Sequence, residues 1–137
     1  MGLYLCVFDG DDEVEGVEVG SYSDFNVFRD AVTATVENGQ PATVCPVLIS
    51  HSDCDGVWTR DEAKTLLAEL SHAEGVMRRY PPVEINSPWK KEIAGMFGIK
   101  PETLADSFFD VDGEPLIERL KQLAQKSVEV GQPILFQ

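Results

Sequence analysis

Residues 51–77 read HSDCDGVWTRDEAKTLLAELSHAEGVM and join an acidic turn to the longest helical repeat in the chain. Apolar residues in this repeat recur three or four positions apart, as they do on one face of a helix: Ala63, Leu66, Leu67, Leu70, Ala73 and Met77. Thr59 and Glu62 form a capping-box sequence directly before that face. Proline disfavours a helical conformation in the preceding residue, so Tyr80-Pro81 ends the repeat. The sequence predicts a long amphipathic helix that begins after Thr59 and ends before Pro81.

The acidic turn has two interpretations. Aligned with a calcium-binding loop, residues 51–62 place the following residues at ligand positions or at the glycine position: Asp53, Asp55, Gly56, Thr59 and Glu62. His51 would be the first ligand, and its nitrogen is disfavoured by a hard cation. The capping box needs the same Thr59 and Glu62 side chains, and a second DxDG, at residues 110–113, lacks the calcium register. We favour a strand–turn–helix junction, with a calcium-binding module as the alternative.

The remaining chain alternates β-rich runs with amphipathic segments. Strands are predicted at residues 2–8, 14–19, 44–49, 108–111 and 133–137, with more than two residues connecting the first pair. Three further helices are predicted: one from Ser21 or Ser23 to Asn38; one from Ser87 to Gly98 with Trp89, Ile93, Met96 and Phe97 inward; and one from Pro115 to Gly131 with Leu116, Leu120, Leu123 and Ala124 inward. These elements predict one α+β domain over residues 1–137, a small mixed sheet of about four to five strands packed with about four helices.

Charge and composition restrict the partners. The chain has 11 Lys and Arg residues against 24 Asp and Glu residues, a net charge of −13. Such a field repels nucleic acid and anionic lipid and attracts basic proteins. The N-terminus lacks the basic start of a secretory signal, no apolar run reaches the roughly 18 residues of a membrane span, and the three cysteines show no CxxC spacing. We therefore expect a cytoplasmic protein with no nucleic-acid or membrane partner, and the oligomeric state stays open.

Catalytic signatures are sparse in the sequence. It contains no dinucleotide-binding glycine motif, phosphate-binding loop, zinc-protease motif or paired-cysteine zinc motif. Cys54 follows His51 by three residues, a spacing that allows a thiol nucleophile with a base, but no third orienting group or oxyanion motif accompanies them. We expect a protein that is not an enzyme and that needs no cofactor.

Five segments together resemble the immunity protein 70 family of bacterial polymorphic toxin systems. They run from the first residue to the last: MGLYLCVF (1–8), GVEVGSYSDF (16–25), LISHSDCDG (48–56), FFDVDGEPLIERL (108–120) and QPILFQ (132–137). The resemblance implies a cytoplasmic protein that binds and neutralises a cognate toxin domain. The acidic charge agrees with a basic nuclease as that toxin, because an acidic inhibitor can occupy a nucleic-acid cleft.

The expected contact surface consists of three acidic turns. Loop position and charge select these residues: Asp9, Asp11, Asp12 and Glu13; Asp53 and Asp55 with Trp58; and Asp110 and Asp112. Trp58 has a second interpretation, because a tryptophan in this polar loop can also fold back as an apolar plug under the long helix.

Overall fold

The computed structural model describes residues 2–85 and 87–137. Over these residues the chain forms four strands and five α-helices, with a short 3₁₀ helix at Ala105–Ser107. The strands are β1 (Leu3–Asp9), β2 (Asp12–Gly20), β3 (Val57–Trp58) and β4 (Ile134–Phe136). The helices are α1 (Tyr22–Thr35), α2 (Pro46–Ser50), α3 (Arg60–Met77), α4 (Pro88–Phe97) and α5 (Leu116–Val130). The predicted α+β class is confirmed.

The sheet has the strand order β2-β1-β4-β3, and its pairings among the described residues are all antiparallel rather than mixed. Asp9 pairs with Asp12, so β1 and β2 are joined by only two residues, and the predicted longer connection is wrong. Gly10 supplies the positive φ of +67° that such a tight turn requires. The C-terminal strand β4, predicted from QPILFQ, lies between β1 and β3 and ties the end of the chain to its beginning.

The core lies between the sheet and the helices α1, α3 and α5. α3 and α5 pack against each other, and α5 also lies against β1 and β2. The predicted inward residues of α5 are all buried, as are those of α3 except Leu67, which is partly exposed. The α3 capping box is confirmed, because the Thr59 hydroxyl accepts from Glu62 N–H and the Glu62 carboxylate accepts from Thr59 N–H. Ser21 caps α1 in the same way with Asp24.

Two predicted strands are wrong. Residues 46–50 form helix α2, because Pro46 occupies the first turn and the buried Glu69 carboxylate of α3 accepts from Val47 and Leu48 N–H. Of residues 108–111, Phe109 makes one isolated bridge to Pro115, and Asp110 instead closes a turn. In α2 a side chain of another helix takes two N–H groups of the predicted strand, and at residues 108–111 the N–H groups of Asp110 and Val111 donate to the Glu114 and Glu18 carbonyls around a turn.

Helix α4 differs most from its prediction. Its apolar spacing indicated an inward stripe, yet among the described residues of this helix only Lys90 is buried. Met96 is 68% exposed and Phe97 is 57% exposed. The stripe is therefore divided: Trp89 and Ile93 are partly buried, whereas Met96 and Phe97 at the C-terminal end of the helix are mostly in solvent.

Candidate interaction surface

The tip of the β1–β2 hairpin is an exposed acidic turn. Asp9, Asp11, Asp12 and Glu13 are all solvent-exposed. The Tyr4 hydroxyl donates to Glu13 Oε2 over 2.9 Å, and burial together with this carboxylate raises the pKa of Tyr4 to about 12. The turn therefore presents several carboxylates to solvent from a position fixed by sheet pairing.

The second acidic turn, residues 110–114, divides into one buried and one exposed carboxylate. Asp110 is fully buried, and its Oδ1 accepts from Asp112 N–H at 3.0 Å and from Glu114 N–H at 2.9 Å. Arg119 contacts Asp110 Oδ2 at 3.4 Å. Burial raises the pKa of Asp110, and the turn N–H groups and Arg119 oppose that rise. Asp110 is thus corrected from a surface candidate to a residue that builds the turn, whereas Asp112 is exposed.

The same turn is attached to the free edge of the sheet. Val111 N–H donates to Glu18 O at 3.0 Å, and Arg119 donates to Gly16 O at 2.6 Å. Arg119 also lies 3.4 Å from the Glu15 carboxylate. These bonds use part of the backbone edge of β2 and hold the Asp112 turn beside it.

In the third turn, the two carboxylates point to different surroundings. Asp53 Oδ2 accepts from the Asn26 side chain of α1 at 2.7 Å, and this bond lowers the pKa of Asp53. Arg29 holds the same loop by donating to His51 O at 2.7 Å and to Asn26 Oδ1 at 2.7 Å. Asp55 is exposed. Asp53 is therefore tied to α1, and Asp55 faces solvent.

The loop does not assemble the calcium ligands of the alternative interpretation. Glu62 is bonded to the Thr59 backbone, and the ring nitrogens of His51 lie 2.8 Å from Ser52 O and Val57 O. Across the described chain, no three His, Cys, Asp or Glu side chains converge where they could hold a metal ion. Both ring nitrogens of His51 lie against backbone carbonyl oxygens, so neither is directed at Cys54 as a base.

Trp58 is fully buried, so it is corrected from the surface to the core. Its ring packs edge-on against Phe136 at a centroid distance of 4.7 Å, and its Nε1–H donates to Val47 O at 3.1 Å. The His51 ring stacks on the Phe136 ring as well, at a centroid distance of 4.1 Å. A side chain with no accessible surface offers nothing to a partner, and Trp58 instead fixes the acidic loop onto β4 and α2.

Two of the three turns lie at one end of the sheet. Phe136 N–H donates to Gly56 O, and Phe136 pairs with Leu5, so the Asp53–Asp55 loop leaves the sheet near the start of β1. The Asp112 turn bonds to Glu18, which pairs with Tyr4 near that same end. The hairpin tip lies at the opposite end. The structure thus brings Asp55 and Asp112 to one end of the molecule and separates both from Asp9–Glu13.

That end also carries a cleft that the sequence did not predict. It has a volume of about 240 Å³ and is lined by residues of α1, α4 and the segments before and after α4: Asp24, Val27, Val83, Glu84, Ile85, Ser87, Lys90, Ser107 and Phe108. Lys90 Nζ lies over the rings of Phe108 and Trp89, at 5.4 and 5.8 Å. Burial lowers the pKa of Lys90, and the Asp24 carboxylate opposes this. No signal in the sequence distinguished Lys90 from its exposed neighbour Lys91.

Taken together, these features define a small acidic α+β domain that presents exposed carboxylates on several surface turns. The family model Immunity protein 70 matches residues 3–136, nearly the whole chain, and the protein therefore belongs to the immunity protein 70 family. Membership indicates an immunity protein of a polymorphic toxin system. Searches of curated proteins and of solved structures found no significant match. Within residues 2–85 and 87–137, none of the helices has the length and apolar character that crossing a membrane requires.

Proposed function

We propose that this protein acts in the bacterial cytoplasm by binding a cognate toxin domain in a fixed stoichiometry, without catalysis, and thereby blocks its activity. The match to the immunity protein 70 family over residues 3–136 carries the proposal. The net charge of −13 supports a basic toxin, for which a nuclease is the leading candidate, because complementary charge accelerates encounter and an acidic surface can occupy a nucleic-acid cleft.

Exposed carboxylates are the proposed charged contacts. They comprise Asp9, Asp11, Asp12 and Glu13 at the hairpin tip, Asp55 in the loop before β3, and Asp112 beside β2. Asp53 is partly buried and bonded to Asn26, and it contributes to the charge of the same loop. Rim charges of this kind act mainly on the association rate and on partner choice. Direct binding of nucleic acid or of an anionic membrane is disfavoured by the same charges.

Titration of the toxin distinguishes binding from catalysis. We expect the activity of the purified toxin domain encoded by the adjacent gene to fall linearly with added protein and to reach zero at a fixed molar ratio. A complex of defined mass should appear by size-exclusion chromatography with light scattering. Inactivation that proceeds with time at substoichiometric amounts would instead identify an enzyme. Co-expressed cells that die, with no complex formed, would overturn the proposal.

A further inference from the structure

Helix α4 is attached to the molecule at its N-terminal half. The Trp89 ring covers Gly20, where an added Cβ would lie 2.6 Å from Cζ2, and the Trp89 Nε1–H donates to Asp24 at 2.9 Å. Lys90 is buried against Phe108 and Phe109. The C-terminal half makes no comparable contribution, since its large apolar residues Met96 and Phe97 are 68% and 57% exposed. The helix thus carries two adjacent apolar side chains out to solvent.

The Phe97 side chain and the backbone that carries both residues are held in place. Gly98 ends the helix in the left-handed conformation, and the N–H groups of Gly98 and Ile99 both donate to Ala94 O. The Phe97 ring rests on Gly113, where an added Cβ would lie 2.7 Å from Cδ2. Because Asp110 fixes that turn from inside, the ring sits on a rigid base. An anchor that is ordered before binding loses little side-chain entropy when it docks.

The surroundings of this anchor are acidic. Phe97 lies on the turn that contains the exposed carboxylates Asp112 and Glu114. From residue 91 to residue 114 the chain has six acidic residues and two lysines. Val111 of this turn is also bonded to β2 at Glu18, whose side chain is a further exposed carboxylate. An apolar ridge with a carboxylate rim complements a hydrophobic pocket set in a basic protein surface, which is the usual arrangement of an interface centre and its rim.

We propose that Met96 and Phe97 form the apolar anchor of this protein's toxin-binding surface, and that they insert into a hydrophobic pocket within a basic face of the toxin domain. This inference rests on the proposed function and gives it a location. Single exposed apolar residues are common on proteins. The anchor differs because Phe97 rests on a fixed turn, with Met96 beside it, on a helix that buries, among its described residues, only one lysine.

Affinity measurements on the wild-type chain and four variants test the location. The titrant is the toxin domain encoded by the adjacent gene, and the readout is its dissociation constant by calorimetry. Phe97→Ala should weaken binding about 30-fold, the size of an interface hot spot. Met96→Lys should weaken it more than Met96→Glu, because both remove the apolar contact and only lysine adds repulsion from a basic face. Val44→Lys, at an exposed apolar position before α2 and outside the proposed contact turns, is the matched control and should bind within about threefold of wild type.

The outcomes separate the two proposals. If the wild type binds the toxin domain and the Phe97 and Met96 variants bind it with the same affinity as the wild type, the anchor is overturned and the proposed function stays intact. Absence of wild-type binding would overturn both. If light scattering shows that the wild type is a dimer and that Met96→Lys is a monomer, Met96 and Phe97 bind a second copy of this chain, and the proposed toxin anchor is overturned. Equal urea midpoints for wild type and the Met96 variants verify that the fold is preserved, since Met96 is mostly exposed.

Discussion

Glu37 and Asp110 are buried carboxylates that complete turns by accepting backbone N–H groups. Glu37 Oε2 accepts from Val44 at 3.0 Å and from Cys45 at 2.9 Å, while its Oε1 accepts from the Thr33 hydroxyl. Each group replaces a hydrogen bond that regular secondary structure would otherwise supply. The sequence has 24 acidic residues, and residue type alone does not distinguish the few buried ones that hold turns from those that face solvent.

Glu37→Gln tests the charge of one such group. Burial opposes ionisation of Glu37, but the N–H groups of Cys45 and Val44 outweigh it and lower its pKa. The ionised side chain therefore stabilises the folded state above the unfolded pKa, and this contribution is lost as the pH falls through the lowered folded pKa. We expect Glu37→Gln to reduce the free energy of unfolding at pH 7 by about 1–2 kcal/mol in urea titrations.

The pH dependence provides the sharper check. The difference between wild type and Glu37→Gln should shrink as the pH is lowered through the pKa of Glu37, because the wild-type group then also becomes neutral. The exposed Glu102 is the control, and Glu102→Gln should change stability by less than about 0.5 kcal/mol. A difference that stays constant down to pH 3 would contradict the assigned role.

The pair Asp110 and Asp112 separates fold from surface within one turn. Asp110→Asn leaves Arg119 without its buried carboxylate, so we expect a loss of about 1–3 kcal/mol in the free energy of unfolding. Asp112→Asn alters an exposed group and should stay within about 0.5 kcal/mol. Urea unfolding of both variants measures the contrast. Equal stability of the two would show that Asp110 is not holding the turn.

At the scale of elements, local sequence signals were sufficient to predict the two longest core helices, α3 and α5. α3 begins at a capping box and α5 ends at Gly131, which is left-handed with φ +72°, and both carry an apolar face that the core covers. α2 and β3 were missed for a different reason. They are five and two residues long, too short for a period to appear, and they exist because Glu69 and β4 supply their hydrogen bonds.

Thr59→Ala tests the junction that delivers the chain into α3. Loss of the hydroxyl leaves Glu62 N–H without its cap, and we expect a loss of about 0.5–2 kcal/mol in the free energy of unfolding. Thr65→Ala, at an exposed position in the middle of the same helix, should be neutral or slightly stabilising because alanine favours the helix. Chemical unfolding followed by far-ultraviolet circular dichroism compares the two. Similar losses in both would refute the capping role.

At the scale of the whole molecule, the dominant property is its net charge of −13. The charge is distributed unevenly, because the hairpin and β2 carry a run of acidic residues with no basic residue between Asp9 and Glu18. Such a field acts over distances comparable to the Debye length, about 8–10 Å at physiological salt. Its effect should appear mainly in the rate at which a basic partner arrives.

Salt dependence of toxin binding tests this expectation. Raising the salt from about 0.05 M to 0.5 M should lower the association rate constant by roughly tenfold or more, with a smaller change in the dissociation rate. Neutralising the hairpin tip by Asp9→Asn, Asp11→Asn and Asp12→Asn should flatten that dependence. Surface-binding kinetics with the toxin domain provide both rates. Association that is independent of salt would rule out electrostatic steering.

The sequence by itself determined the α+β class, the two long helices with their caps, the hairpin strands and the returning C-terminal strand. These follow from periodicity and from bonds between residues close in the chain. Tertiary structure alone decided which carboxylates and aromatics are inside. Trp58 is buried because β4 brings Phe136 against it, and Asp110 is buried because α5 brings Arg119 to it. Phe97 contacts the turn at Gly113 on one side only and keeps 57% of its surface in solvent. Burial depends on residues distant in the chain, so the spacing within one segment does not determine it.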